Sequence, residues 1–177
     1  KDTREILANI SNNYYKKKPK NIIAVTGTNG KTSISDFFCQ IFLQQKKKSG
    51  FIGTLGFRKN KILKRRNLTT LDPFTLNKDL NDMKLNGIND VIIEASSHGL
   101  KQKRLNFLNL KAGIFTNLSH DHLDYHKTMK DYLNAKLLLF KKNLSKGSFM
   151  ITDTDIKQFK ILKKLKDKKR FKLYTIG

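Results

Sequence analysis

Residues 21–38 read NIIAVTGTNGKTSISDFF. The run NIIAVT (21–26) is apolar and β-branched, as a buried strand requires, and the segment from Lys31 to Gln45 has the apolar spacing of an amphipathic helix. Between them lies GTNGKTS, Gly27–Ser33, with two glycines, a lysine and three hydroxyl residues. Strand, glycine loop and helix in that order form a phosphate cradle. Gly27 and Gly30 let backbone N–H groups approach phosphate oxygens, Lys31 supplies a point charge, and the Thr32 hydroxyl can reach Mg²⁺. The strict G-x-x-x-x-G-K-[ST] pattern is not met, because Val25 stands where its first glycine belongs. A polar turn that merely caps a helix is the bland alternative.

Working outward, five further apolar runs read as strands: SGFIGTLGF (49–57), DVIIEA (90–95), AGIFTN (112–117), SFMIT (148–152) and FKLYTI (171–176). Helical spacing recurs at 3–15, 73–86, 128–142 and 154–166. Pro73 suits a first helical turn, and Gly87 suits the end of the same helix. The alternation predicts an α/β fold with a mainly parallel sheet flanked by helices, and ligands at the carboxyl ends of its strands. The lysine-rich stretch 58–66 is expected to be a mobile loop.

The 177 residues are enough for one domain with a single sizeable core. Thirty-seven Lys and Arg against 14 Asp and Glu give a formal net charge of +23, which admits nucleic acid, anionic lipid or an acidic small molecule as partner. The basic runs lack the interleaved aromatics on which single strands stack, so they read as solvated faces and not as a nucleic-acid footprint. The one cysteine, Cys39, sits in the apolar DFFCQIFL and is expected in the core. No apolar stretch approaches a membrane span and the N-terminus carries no apolar signal region, so a soluble, cytoplasmic protein without a membrane partner is expected. The chain starts at Lys1, which suggests a piece of something longer.

Three more motifs carry chemistry. In VIIEASSHGLKQKR, Glu94 ends an apolar run, where a carboxylate facing the glycine loop could hold Mg²⁺; a solvated strand end is the alternative. Gln102 and Arg104 follow a turn rich in donors, and an arginine there could grip a carboxylate or phosphate, although both could equally be surface residues. TNLSHDHLDYH gathers three of the four histidines, leaving open a zinc site from His120, His122 and His126, a magnesium site, or simple caps and turns. In TMKDYLNAKLLLFKK, Thr128 and Asp131 mark a helix start, and Met129, Tyr132, Leu133 and Phe140 fall on one apolar stripe. Lys136 lies in the middle of it. Such a lysine either snorkels past the core edge or is a partly desolvated amine of lowered pKa.

VTGTNGKTS, NLTTLDPFTL, EASSHGLKQKR and FTNLSHDHLDYHKTMKDYLNAKLLLF, in this order, resemble the central ATP-binding domain of the Mur ligases. The branch resembled extends a UDP-muramoyl-dipeptide by its third amino acid. The family's shorter loop, G-T-x-G-K-T, accounts for Val25. The resemblance implies ATP and Mg²⁺ as cofactors and a catalytic set of Lys31, Lys136 and His122. It implies that Gly27, Thr28, Asn29, Gly30, Lys31, Thr32 and Ser33 bind the nucleotide, and that Thr69, Thr70, Ser96, Gln102 and Arg104 bind the muramoyl substrate. Thr32, Glu94, His122 and Lys136, the last as a carbamate, are the implied metal ligands. Leu71 replaces the proline common in the family's T-T-P-D-P, and Leu68 stands where some members have Asn. Residues 1–20 are then expected to be a linker helix from an N-terminal domain, and 21–177 an incomplete central domain, with further N- and C-terminal domains of the same enzyme outside these residues. A folylpolyglutamate synthetase-like ligase is the nearest alternative, and a P-loop nucleic-acid-binding ATPase a more distant one.

Overall fold

In the computed structural model, residues 2–59, 62–64 and 67–177 are described. Helix α1 (Thr3–Tyr14), capped by the Asp2 side chain, precedes strand β1 (Asn21–Thr26) and helix α2 (Lys31–Gln44). Then come β2 (Ser49–Gly53), β3 (Gly56–Lys59), β4 (Ile62–Lys64), α3 (Pro73–Leu85), β5 (Asp90–Glu94) and α4 (Ser97–Lys101). The chain continues through β6 (Leu110–Phe115), α5 (Leu123–His126), α6 (Met129–Leu138), β7 (Leu144–Asp153), α7 (Phe159–Lys169) and β8 (Lys172–Ile176).

The strand order is β4-β3-β2-β5-β1-β6-β7-β8. From β2 to β8 every pairing is parallel, and β3 and β4 extend the edge antiparallel. The α/β expectation therefore holds. β1 is central because its neighbours are buried on both faces. Ile22, Ala24, Val91 and Ile93 pack with Leu76, Leu80 and Met83 of α3 and Leu137 of α6 in the main core. The alternate residues Val25 and Ile92 meet Cys39 of α2 on the other face, as the two-residue period of a strand dictates. Cys39 is buried, as expected.

Local chemistry places the ends. Asp72 Oδ1 accepts the Thr75 N–H at 3.0 Å, Pro73 occupies the first turn, and Gly87 takes φ +77° beyond the last one. The Thr128 hydroxyl caps α6 by accepting the Asp131 N–H at 3.1 Å.

Four readings change. The run 49–57 is a hairpin, β2 pairing antiparallel with β3 and Gly53 opposite Gly56, because two glycines allow a reversal that an apolar composition hides. The helix expected at 154–166 starts at Phe159; before it, the Asp155 N–H is taken by Asp153 Oδ1 at 2.7 Å. The helix expected over 128–142 widens into a π-turn at Leu139–Asn143. The stretch expected as a loop carries the end of β3 and all of β4, while residues 60, 61, 65 and 66 lie outside the described residues. Among the described residues, no helix is long and apolar enough to cross a membrane.

Candidate active site

The carboxyl ends of β1, β2, β5 and β6 lie side by side, and a cavity of about 250 Å³ opens above them. Thr28–Ser33, Thr54, Thr69, Ser96, Ser97, His122 and Lys136 line it. The glycine loop is shaped by what it touches. Gly27 has φ +152°, and a Cβ there would sit 1.8 Å from Thr116 Oγ1. The segment after β6 holds the loop: the Thr28 N–H donates to the Asn117 carbonyl at 3.0 Å and the Asn29 N–H to Asn117 Oδ1 at 2.9 Å. Thr28 Oγ1 accepts the Ser119 N–H at 3.0 Å, and Thr116 Oγ1 donates to the Asn29 carbonyl at 2.6 Å. Sequence reasoning gave Thr116, Asn117 and Ser119 no such role; their position directly after a strand was the available signal.

Two lysines converge on one carbonyl. Lys31 Nζ donates to the Gly27 and Thr28 carbonyls at 2.9 and 2.8 Å, and Lys136 Nζ donates to the Gly27 carbonyl at 2.7 Å. Lys136 is 1% exposed and its ammonium lies 4.3 Å from the Tyr132 ring centroid. Of the two sequence readings, snorkelling fails: the side chain reaches inward to the glycine loop. Burial first, then the nearby Lys31 charge, pulls its pKa down to about 7. Lys31 is also lowered by burial, against the pull of Glu94 and Asp121.

Glu94 is fully buried, not a solvated strand end. Its Oε2 accepts from Thr32 Oγ1 at 3.1 Å and Thr54 Oγ1 at 2.9 Å, and its Oε1 accepts the Thr54 N–H at 3.1 Å. Thr54 went unread because it sits in the unrecognised hairpin turn. A carboxylate beside a threonine hydroxyl is a hard-oxygen donor set and fits Mg²⁺. His122 lines the same cavity from a left-handed backbone position, φ +53°. His126 turns away from it, with Nε2 2.9 Å from Ser97 Oγ. Among the described residues, no three His, Cys, Asp or Glu side chains converge as a metal site, so the three-histidine zinc reading has no geometric support.

The residues expected to hold substrate split into two groups. Thr69 and Ser96 line the cavity, with Thr69 Oγ1 3.1 Å from Thr54 Oγ1. Thr70 is buried behind them, its Oγ1 donating to the Glu94 carbonyl and accepting the Ser96 N–H, both at 2.8 Å. Arg104 and Gln102 sit further out and half-buried: the guanidinium donates to Gln102 Oε1 at 3.1 and 2.6 Å and also to the Thr70 carbonyl. Neither is a plain surface residue, and burial lowers the Arg104 pKa. Leu71 is buried in the core and Leu68 is exposed.

A model of the Mur ligase middle domain matches residues 25–177. The chain belongs to the Mur ligase family. Among curated relatives, UDP-N-acetylmuramoyl-L-alanyl-D-glutamate--2,6-diaminopimelate ligase of Rickettsia bellii is 41% identical over 180 residues, covering 99% of this chain and 38% of that protein. The ligase of the same name from Brucella melitensis is 42% identical over 154 residues, covering 87% of this chain and 32% of its own length. The chain thus spans less than two fifths of these Mur ligases. A solved structure of a ligase of that name superimposes with TM-score 0.85 at 33% identity, covering 98% of this chain and 36% of the other. Helicobacter pylori folylpolyglutamate synthetase aligns with TM-score 0.72 at 17% identity, over 100% of this chain and 50% of its own, which is a likeness of fold.

Proposed function

We propose that this chain is the ATP-binding and catalytic-centre part of a ligase that adds the third amino acid to UDP-N-acetylmuramoyl-L-alanyl-D-glutamate in the cytoplasm. The observation that carries the reading is the meeting of Lys31, Lys136 and Glu94 around one glycine loop, in a chain 41% identical to a relative named for that reaction. That name also supports 2,6-diaminopimelate as the incoming amino acid. The folylpolyglutamate alternative has only a shared fold behind it.

In the proposed reaction the D-glutamyl carboxylate attacks the γ-phosphate of ATP, giving an acyl phosphate and ADP. The amine of the amino acid then displaces phosphate and forms the amide. Backbone N–H groups of Gly27–Ser33 and the Lys31 ammonium offset the negative charge that shifts off the γ-phosphate. Thr32, Glu94, His122 and the carbamate of Lys136 would hold Mg²⁺, which supplies charge neutralisation at the phosphoryl oxygens when bound. A lysine with pKa about 7 is largely a neutral amine above that pH. Its lone pair can add to CO₂, losing a proton and becoming an anionic carbamate. Thr69, Thr70, Ser96, Gln102 and Arg104 would hold the muramoyl dipeptide. Residues 1–20 would link to an N-terminal domain, and 21–177 would be the central domain, unable alone to form the amide.

The test is ADP release by the full-length protein. Turnover is expected only with the UDP-muramoyl-dipeptide and diaminopimelate both present. Turnover stimulated by a folate acceptor or by single-stranded DNA would overturn the reading, and amide formation by residues 1–177 alone would overturn the domain argument.

A further inference from the structure

The serine pair Ser96–Ser97 divides its labour. Ser96 is tied to its neighbours as well as to the cavity: its Oγ accepts the Gly99 N–H at 3.1 Å and lies 3.0 Å from Thr70 Oγ1, and its N–H is held by Thr70 Oγ1. Ser97 also lines the cavity, yet it is 1% exposed, and among the described residues its hydroxyl has one hydrogen-bond partner, His126 Nε2 at 2.9 Å. His126 is itself 1% exposed and is enclosed by the rings of His98, Tyr125 and Tyr132, with centroids 5.4, 4.8 and 5.1 Å away. Its Nδ1 is buried and, among the described residues, has no hydrogen-bond partner.

That arrangement decides where the proton sits. Burial, with repulsion from His98 and Lys101, drops the His126 pKa to about 4, so the ring is neutral near pH 7 and carries a single N–H. A proton on Nδ1 would leave a buried N–H donor unpaired, the rarer and costlier defect; a proton on Nε2 leaves only a ring lone pair unpaired. Nε2–H then donates to Ser97 Oγ. Among the described residues the serine's own proton then has no acceptor, which leaves it free for a ligand in the cavity that Ser97 lines.

We propose that His126 is a positioning residue which, as the Nε2–H tautomer, fixes Ser97 as a dry, pre-aimed donor to an anionic oxygen of a ligand in the cavity. The oxygen belongs to a phosphate of the nucleotide or to the carboxylate of the acceptor. The inference rests on the functional reading above for those two ligands. It adds contact by Ser97 to the Ser96 contact that the family resemblance implies.

The experiment has two arms on the full-length protein. In ¹⁵N-histidine-labelled material, long-range ¹H–¹⁵N correlation is expected to show His126 neutral with its proton on Nε2, and Ser97→Ala should shift that nitrogen. In the second arm, a non-hydrolysable ATP analogue and the UDP-muramoyl-dipeptide are titrated separately. Ser97→Ala should weaken one of them by about tenfold or more, as expected for a hydrogen bond to a charged group, and which one weakens identifies phosphate or carboxylate. His126→Phe keeps the ring packing and should show the same loss, while His126→Gln, which keeps a donor at similar reach, should recover most of it. A proton on Nδ1, an imidazolium, or unchanged affinity for both ligands in Ser97→Ala would overturn the proposal. Wild-type protein that binds neither ligand would instead refute the functional reading, and with it the ligand half of this one.

Discussion

Lys136→Met should make the protein more stable while removing its activity. The folded lysine has a pKa near 7 against an ordinary 10.5, so folding forces the chain either to bury an ammonium or to give up a proton. At about 1.36 kcal/mol per pH unit, that separation is an upper bound of about 5 kcal/mol disfavouring the native state. Methionine fills a similar unbranched volume and brings no charge. It loses the bond to the Gly27 carbonyl and the approach to the Tyr132 ring, together about 2 kcal/mol. The carbonyl stays satisfied, because Lys31 Nζ still donates to it at 2.9 Å. The net gain is about 2–3 kcal/mol, or a rise in melting temperature of about 5–10 °C. The sign with pH follows from linkage. Because the folded value is the lower one, the penalty is complete below pH about 7 and fades as the unfolded lysine deprotonates toward 10.5. Heat unfolding of wild type and variant in CO₂-free buffer, at about pH 6 and about pH 10, should show a lead for the variant that shrinks as pH rises. A variant that melts below wild type at the lower pH, or a lead indifferent to pH, would refute the buried-ammonium argument.

Lys31→Ala should cut turnover by about 10²–10³-fold with an unchanged circular dichroism spectrum, since the residue opens α2 at the cavity and is not core; near-normal rates would return the loop to the status of a polar turn. Gly27→Ala should destabilise the chain by about 2 kcal/mol or more in urea unfolding, because φ +152° and a Cβ 1.8 Å from Thr116 Oγ1 cannot both be relieved by one rotamer change; a wild-type midpoint would contradict the close approach. Glu94→Gln keeps the shape and the hydrogen-bonded threonines but removes the charge, so the Mg²⁺ concentration for half-maximal turnover should rise about tenfold or more; an unchanged requirement would take Glu94 out of the metal site. Because buried His126 stays neutral while the unfolded chain takes up its proton, the fold should weaken as pH falls from the ordinary value of 6.5 toward about 4; equal unfolding midpoints across that window would argue against its burial.

What could be read from the chain by itself was local. A strand, a glycine loop and a helix follow one another within Asn21–Gln44, so hydrophobic period and glycine spacing were enough to find the strand–loop–helix unit. The Pro73, Gly87 and Thr128–Asp131 signals were legible for the same reason, since a helix end is made by residues close in the chain. The stripe on α6 put Lys136 among apolar residues but left open whether it snorkels outward or turns in, and toward what. Its partner, the Gly27 carbonyl, is 109 residues away, and only the sheet order, with β1 between β5 and β6, brings them to 2.7 Å. The β2–β3 hairpin was hidden because a reversal between two apolar strands leaves the hydrophobic pattern continuous, and Thr54, which binds Glu94, was hidden with it. The pairing of Ser97 with His126 depends on how α4 and α5 pack beneath the cavity; no spacing along the chain encodes that distance, because the two side chains meet through the packing of separate elements.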